Sequence, residues 1–294
     1  MKSIVIFAKL LTSGHSILWP LWFLFALLLL STQSVSAQRE GDTWVFHPNT
    51  GFKFDENGEL KVINSKCSGS FNSSCISDST GSLLMYLTYP HEDTVQQFPY
   101  IRIKGYLVDG NHQDIENGAN IETYRWMAKG SVILPWPERE GHYVLIYFDS
   151  YGLWESHLMY SEIQHDGTKA KVLQKNVRVA DSVDNLLYSL ASVRHCNGKD
   201  WWIIAHEADS ENYLFYLLDK HGLLLSHEQK IGSRVPKASD NPSIPKNDTY
   251  ITLSLSSQTL TLVNGHGVID WLHFDRRVSP VYFCKIFRVP KTWV

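Results

Sequence analysis

The sequence predicts an all-β protein, and three observations carry that prediction. Beyond residue 40 the apolar runs are short, 4–8 residues, and rich in β-branched and aromatic side chains. Between them, Asp, Asn and Gly supply turn chemistry every ten or so residues. Hydrophobic residues make up 44% of the chain and aromatic residues 13%, ample material for a core, which excludes a disordered polypeptide.

The first 37 of the 294 residues divide as a secretory signal does. Lys2 and Lys9 give a positive start, Ile17–Leu30 is an apolar run broken by Pro20, and Val35-Ser36-Ala37 is a small-residue cleavage site ahead of Gln38. No acidic or basic residue lies between Lys9 and Arg39, so the stretch is also long enough to span a bilayer, and retention as an anchor stays open beside cleavage. The expected domain is 38–294. Without Lys2 and Lys9 it holds 25 basic residues against 30 acidic, a net charge of −5. A nucleic-acid partner is therefore not expected, because a phosphate backbone calls for clustered Lys and Arg. No second membrane-length apolar run follows Gln38, so no membrane contact is expected after cleavage. The expected location is periplasmic, on the cell surface or secreted.

The strands follow in order. Leu83–Tyr86, Tyr143–Phe148, Trp201–Ala205, Tyr213–Leu218 and Leu223–Leu225 are β-branched or aromatic runs. Ile251–Leu255 alternates strictly, Leu260–Val263 less so before Asn264-Gly265, and Val268–Phe274 closes the series. Val183, Leu186, Leu187, Leu190 and Val193 instead fit an amphipathic helical template after Asp181-Ser182. A strand is preferred for the second half of that segment, because Ser189–Arg194 leads straight into a hairpin-like Asn197-Gly198.

The turns share one form: Asp55-x-x-Gly58, Asp78-x-x-Gly81, Asp149-x-x-Gly152 and Asp219-x-x-Gly222, with Asp166-Gly167 as a shorter version. The Asp side chain can cap the turn backbone, and the Gly supplies a positive φ. Two strands, an Asp turn and two more strands, recurring at several tens of residues, describe a β-propeller blade. Four such units are read at roughly 41–90, 100–165, 188–232 and 248–290. At about 40–50 residues per blade the 257 residues after Ala37 would supply about five. The expectation is a propeller-like domain of four to five blades, closed or incomplete.

Four cysteines are too few for a disulfide scaffold. Cys67 and Cys75 lie eight apart in a Ser/Gly/Asn loop, close enough to bridge in an oxidising compartment. Cys196 adjoins His195, yet neighbours on a strand point to opposite faces, so adjacency makes no catalytic pair. The 13 histidines are scattered and no C-x-x-C occurs, so neither a metal nor a cofactor is expected.

Trp44–Phe46, Gly51–Phe54 and Ile76–Tyr86 resemble the opening of the WD40-like propeller regions of exported Bacteroidetes proteins, the type IX cargo that often ends in a gliding-motility-associated C-terminal domain. The order continues through Asn117-Gly118, Ser131–Pro137 and Tyr143–Phe148 to the most specific match. That is Ala191–His206 (ASVRHCNGKDWWIIAH), similar to the group's "taVkHaNGkDyWvitH". Phe274-Asp275-Arg276 is similar to its "FDR" step. The resemblance covers most of 41–277 and implies a propeller outside the cytoplasm, without implying a catalytic residue. Relatives commonly continue into more blades and C-terminal modules, so this chain reads as a shortened member.

Function reads first as an exported, non-catalytic binding or scaffold protein, taking a protein or glycan through propeller loops, with one or two of Trp126, Trp136, Trp154, Trp201 and Trp202 as an aromatic platform and the others as core. The densest polar and aromatic cluster is the 194–207 hairpin: Arg194, His195, Asn197, Asp200 and Trp201, with His206 and Glu207. The same residues also read simply as a hairpin turn. The alternatives are a glycosidase-like hydrolase, which needs paired carboxylates from a set such as Glu155, Glu162, Glu207 and Asp270, and a truncated fragment without function.

Overall fold

The computed structural model describes residues 39, 41–68, 72–90, 104–123, 129–149, 156–180, 184–235, 249–253, 259–264 and 269–273. The signal segment 1–37, Trp126, Gly152, Trp154, Glu155, the 274–276 step and Cys284 lie outside the described residues.

Among the described residues there are seventeen strands and no helix, so none is long and apolar enough to cross a membrane. The strands form five antiparallel sheets, each a meander in chain order. The first holds β1 (Thr43–Phe46), β2 (Thr50–Phe54) and β3 (Leu60–Asn64); the second β4 (Cys75–Ser77), β5 (Leu83–Thr88) and β6 (Tyr106–Asp109). The third holds β7 (Ser131–Pro135), β8 (His142–Phe148), β9 (Leu158–His165) and β10 (Ala170–Arg178). The fourth holds β11 (Ala191–Arg194), β12 (Trp201–His206), β13 (Asn212–Leu218) and β14 (Leu223–Lys230). The fifth holds β15 (Thr249–Leu253), β16 (Thr259–Asn264) and β17 (Ile269–His273). The first strands of successive sheets meet, β1 on β4, β4 on β7 and β11 on β15. Consecutive meanders joined through their first strands make the fold all-β and propeller-like.

The core is a series of layers between sheets. Alternate residues of one strand feed two of them, since side-chain direction has a period of two. In β8, Leu145 and Tyr147 pack toward the second sheet, whereas Val144, Ile146 and Phe148 pack toward the fourth. In β13, Leu214, Tyr216 and Leu218 face the third sheet, and Tyr213 and Phe215 face the fifth. A strand buried on both faces needs no polar alternation, which is why Tyr143–Phe148 and Tyr213–Leu218 read as continuous apolar runs.

The blade boundaries require one correction. Expected unit 188–232 matches the fourth sheet and 248–290 contains the fifth, but 41–90 and 100–165 divide differently. Residues 43–64 already make a complete meander, and β6 joins β5 across the long connection after Tyr89, so the same region yields three sheets. The helical template also gives way. Residues 184–190 are non-helical, with bends at Asp184, Asn185 and Tyr188, a φ of 73° at Asn185 and a bridge from Leu186 to Glu207, and β11 begins at Ala191. Leu186, Tyr188 and Leu190 enter the layer toward the third sheet, while Leu187 and Ala191 enter the one toward the fifth. Two buried faces imitate a helical stripe.

Cys67 and Cys75 are free thiols, correcting the expected bridge. Both pack into the layer formed by Val45, Tyr86 and Val108. Cys75 opens β4 and donates through Sγ to the Thr43 carbonyl at 3.5 Å. The Cys67 backbone N–H is held by Ser65 Oγ at 3.2 Å, and burial pushes its thiol up to about 11.

Candidate functional site

Three turns are built alike. Asp55 Oδ1 accepts the N–H groups of Asn57 and Glu59 at 2.8 and 3.0 Å. Asp78 Oδ1 accepts those of Thr80 and Ser82 at 2.8 and 3.0 Å, and Asp109 Oδ1 those of Asn111 and Gln113 at 2.9 and 2.8 Å. The fourth residue has positive φ each time: Gly58 at 78°, Gly81 at 81° and His112 at 62°. Sequence reading found the first two by their Gly; His112 hides the third. Asp219 and Asp166 cap shorter turns, but Asp149 does something else. Its Oδ1 accepts the His157 N–H at 2.8 Å, and its carboxylate meets His157 Nδ1 at 2.9 Å.

The turns at Asp78 and Asp109 share one end of the second sheet. With the first sheet and the β9–β10 turn of the third they surround a cleft of about 490 Å³. That volume lies within the range of small-ligand sites. Ile63, Leu83 and Leu84 give it an apolar lining, and Lys53, Asp78, Asp109, His112 and His165 are its ionisable groups. Each carboxylate uses Oδ1 on its own turn, leaving Oδ2 without a hydrogen bond among the described residues. Burial opposes ionisation of Asp78, yet the hydrogen bonds from Thr80 and Ser82 and the nearby Lys53 charge hold its carboxyl below the usual range.

The two imidazoles are oriented by their second nitrogens. Tyr86 Oη accepts the Lys66 N–H at 2.9 Å and lies 2.8 Å from His112 Nδ1. Burial pushes the phenol up to about 12, so it keeps its proton. The arrangement that uses both groups has Tyr86 donating to Nδ1 and the ring proton on Nε2. His165 Nδ1 accepts the Gly167 N–H at 3.1 Å, which again leaves the proton on Nε2 of the neutral ring. The cleft thus combines fixed imidazole donors, an ammonium and two carboxylate oxygens.

The residues singled out at 194–207 do not converge. Arg194, His195, Asn197, Asp200 and Trp201 lie at one end of β12, His206 and Glu207 at or beyond the other; five residues of strand span roughly 17 Å. Asn197 Oδ1 accepts the N–H groups of Lys199 and Asp200, and its Nδ2 donates to Asp200 Oδ2 at 2.6 Å. His195 Nδ1 accepts the Asn197 N–H at 3.1 Å, and Arg194 lies over the Trp201 ring at 4.3 Å. Their hydrogen-bonding groups largely serve the hairpin itself. Trp136 and Trp202 are buried and Trp201 half-buried, so these three indoles belong mainly to the core.

His206 is wholly buried, and neither ring nitrogen has a hydrogen-bond partner among the described residues. Burial lowers it to about 4. It packs edge-on against Tyr213, with centroids 4.6 Å apart. Beside it, buried Asp270 accepts from the Ser233 N–H at 2.6 Å through Oδ2 and from the Ser233 hydroxyl at 2.5 Å through Oδ1. Glu207 Oε2 accepts from Asn212 Nδ2 at 2.8 Å, and Glu162 lies 2.9 Å from His142 Nδ1 and 3.7 Å from Arg139. The three described carboxylates weighed for hydrolysis, Glu162, Glu207 and Asp270, therefore belong to the third, fourth and fifth sheets and their connections, each with its own hydrogen-bond partners. Among the described residues, no cluster of three or more His, Cys, Asp or Glu has metal-binding geometry.

No family model matches the chain, and no curated protein matches it. Solved structures offer distant likenesses. A protein of unknown function from Desulfotomaculum acetoxidans is 12% identical with a TM-score of 0.46, covering 82% of this chain and 64% of its own. An exo-β-1,3-galactanase from Phanerochaete chrysosporium, solved with β-1,3-galactotriose, is 8% identical with a TM-score of 0.40, covering 85% of this chain and 53% of its own. The chain thus spans less than two thirds of either neighbour, and likeness at this level assigns no activity.

Proposed function

We propose that this chain is an exported binding protein that holds a glycan in the cleft between the turns of its first three sheets. The observation that carries the reading is the lining itself. Asp78, Asp109 and His112 sit on short turns locked by the Oδ1 caps, and Lys53 and His165 on strands β2 and β9, so the backbone that carries them is ordered before a ligand arrives. Adjacent donors and acceptors suit vicinal hydroxyls, each of which gives one hydrogen bond and accepts others. The export-type leader and the resemblance to exported propeller regions support a location outside the cytoplasm.

A hydrolase reading has less support. Glycoside cleavage needs a carboxylic acid held protonated beside a second carboxylate. Asp78, the cleft carboxylate with a perturbed pKa, is pushed the other way.

The test is a panel of soluble oligosaccharides titrated into the purified chain by calorimetry, repeated with Lys53→Ala and Asp109→Asn. The Asn variant keeps Oδ1 for the turn and replaces the Oδ2 acceptor with a donor. Binding weakened about tenfold or more by each change supports the reading. Glycan binding indifferent to both, or none tighter than roughly 1 mM, removes it.

A further inference from the structure

The first sheet has one covered face and one open face. Val45 enters the layer shared with the second sheet, and Lys53 lines the cleft on the same side. The opposite face carries Trp44, Phe46, Phe52, Phe54, Leu60 and Val62. None of them belongs to a buried layer among the described residues. Register sets Trp44, Phe52 and Val62 in one row across the three strands, with Phe54 beside Leu60. Trp44 is 53% exposed, Phe54 40%, Leu60 53% and Val62 70%. The Trp44 indole N–H donates to the Gly41 carbonyl, so the ring presents apolar surface alone. Since an aromatic side chain can bury about 150–250 Å², these fractions leave on the order of 400 Å² of contiguous apolar surface. A patch of that size marks an interaction site.

Three features of the face select its occupant. Its rings do not lie flat: Trp44 and Phe46 are inclined by 47°, and Phe46 and Phe52 by 62°. The surface is therefore ridged, suited to interdigitating side chains rather than to a sugar stacked on a platform. Its strand positions hold no Asp, Glu, Lys or Arg, so it buries no charge against an equally apolar partner. Its two ends differ in sign. The β2–β3 turn carries exposed Glu56 and Glu59, whereas exposed Lys66 follows β3 at the other end, and none of the three makes an ion pair among the described residues. The acidic turn also opposes docking on an anionic bilayer.

We propose that this face is the centre of a twofold dimer interface, first sheet on first sheet, with the strands of the two copies antiparallel. A twofold axis lying across the strands sets the Glu56 and Glu59 turn of each copy over the Lys66 end of the other. Both charged ends are then complementary, and the uncharged centre is covered. The apolar patch is about half of the roughly 800 Å² that a standard interface takes from each partner, and the polar ends supply the rim.

Sedimentation and light scattering of the purified chain over roughly 1–100 μM test it. The expected mass rises from one copy to two and stops there. Val62→Asp and Trp44→Asp should each weaken dimerisation about tenfold or more, with circular dichroism showing that both are folded. Val62→Ser tests the same contact without adding a charge and should weaken it about threefold. Lys66→Glu should weaken it about threefold at low salt, and adding Glu56→Lys and Glu59→Lys should restore it. A chain that stays monomeric at roughly 100 μM overturns the proposal, as does association that continues beyond two copies. Dimerisation indifferent to both Asp variants places the contact elsewhere and overturns it too. Tighter association of Lys66→Glu overturns the antiparallel arrangement, because it would set Lys66 of one copy against Lys66 of the other.

Discussion

Tyr213 of the fourth sheet reaches Asp270 of the fifth across a wholly buried layer, its hydroxyl donating to Oδ2 at 3.3 Å. The same carboxylate holds the backbone and hydroxyl of Ser233, so it ties the connection leaving β14 to β17. Asp270→Ala leaves three buried donors without this acceptor, and the expected loss is about 3 kcal/mol of stability. Urea unfolding measures it. A loss below about 0.5 kcal/mol would mean that the network contributes no net stability.

Gly232 stands between the same groups. A Cβ there would lie 2.5 Å from Tyr213 Cε2 and 3.0 Å from His206 Nε2. Gly232→Ala is expected to destabilise by about 1–3 kcal/mol, the cost of overpacking a filled core. A thermal melt equal to wild type would show that the loop yields freely. Gly110→Ala should be worse, because its Cβ would fall on the Leu83 carbonyl oxygen, and backbone cannot step aside as a side chain can.

His206 makes stability depend on pH. Burial lowers it from 6.5 to about 4, so the unfolded chain binds the extra proton first as pH falls. Its contribution is complete above 6.5 and is lost progressively as pH falls toward 4. The difference amounts to roughly 3 kcal/mol. Unfolding free energies at pH 4.5 and 7 should differ by more in wild type than in His206→Phe, which has no titrating ring. Equal differences in the two proteins would count against the assignment.

Asp109→Ala and Asp109→Asn separate binding from folding in the cleft. Alanine removes both turn caps from Asn111 and Gln113, so stability and glycan binding are both expected to fall. Asparagine keeps the caps, so binding should fall alone. Calorimetry beside thermal melts distinguishes them, and parallel losses in both variants would make Asp109 purely structural.

Strand positions were legible wherever short apolar runs met turn residues, as at Tyr143–Phe148 and Tyr213–Leu218. Sheet boundaries were harder to read, because strands of neighbouring sheets have the same composition and only pairing separates them. The helical stripe at 186–193 arose from a non-helical segment feeding two layers. At the candidate site, Asp78 was visible as a turn former, and Asp109 was missed because His112 occupies the position where the other two turns carry Gly. The formula Asp-x-x-(positive φ) would have found it, had His been allowed there. Lys53 and His165 reach the cleft from other sheets, a proximity that sequence spacing does not encode. The 194–207 cluster failed as a group because adjacency in sequence placed residues at opposite ends of one strand.

The layered core has a thermodynamic consequence. Among the described residues each sheet buries its faces against its immediate neighbours, so cooperativity passes along the chain as through a row of coupled units. The third and fourth sheets, four strands each and flanked on both sides, should be last to open. The first and fifth, three strands each and sharing a buried layer with one neighbour among the described residues, should open at lower free-energy cost. Amide hydrogen exchange would then decline in protection outward from β8 and β13 toward both ends. A ligand in the cleft would damp opening preferentially in the first three sheets, since it binds only where their turns are closed together.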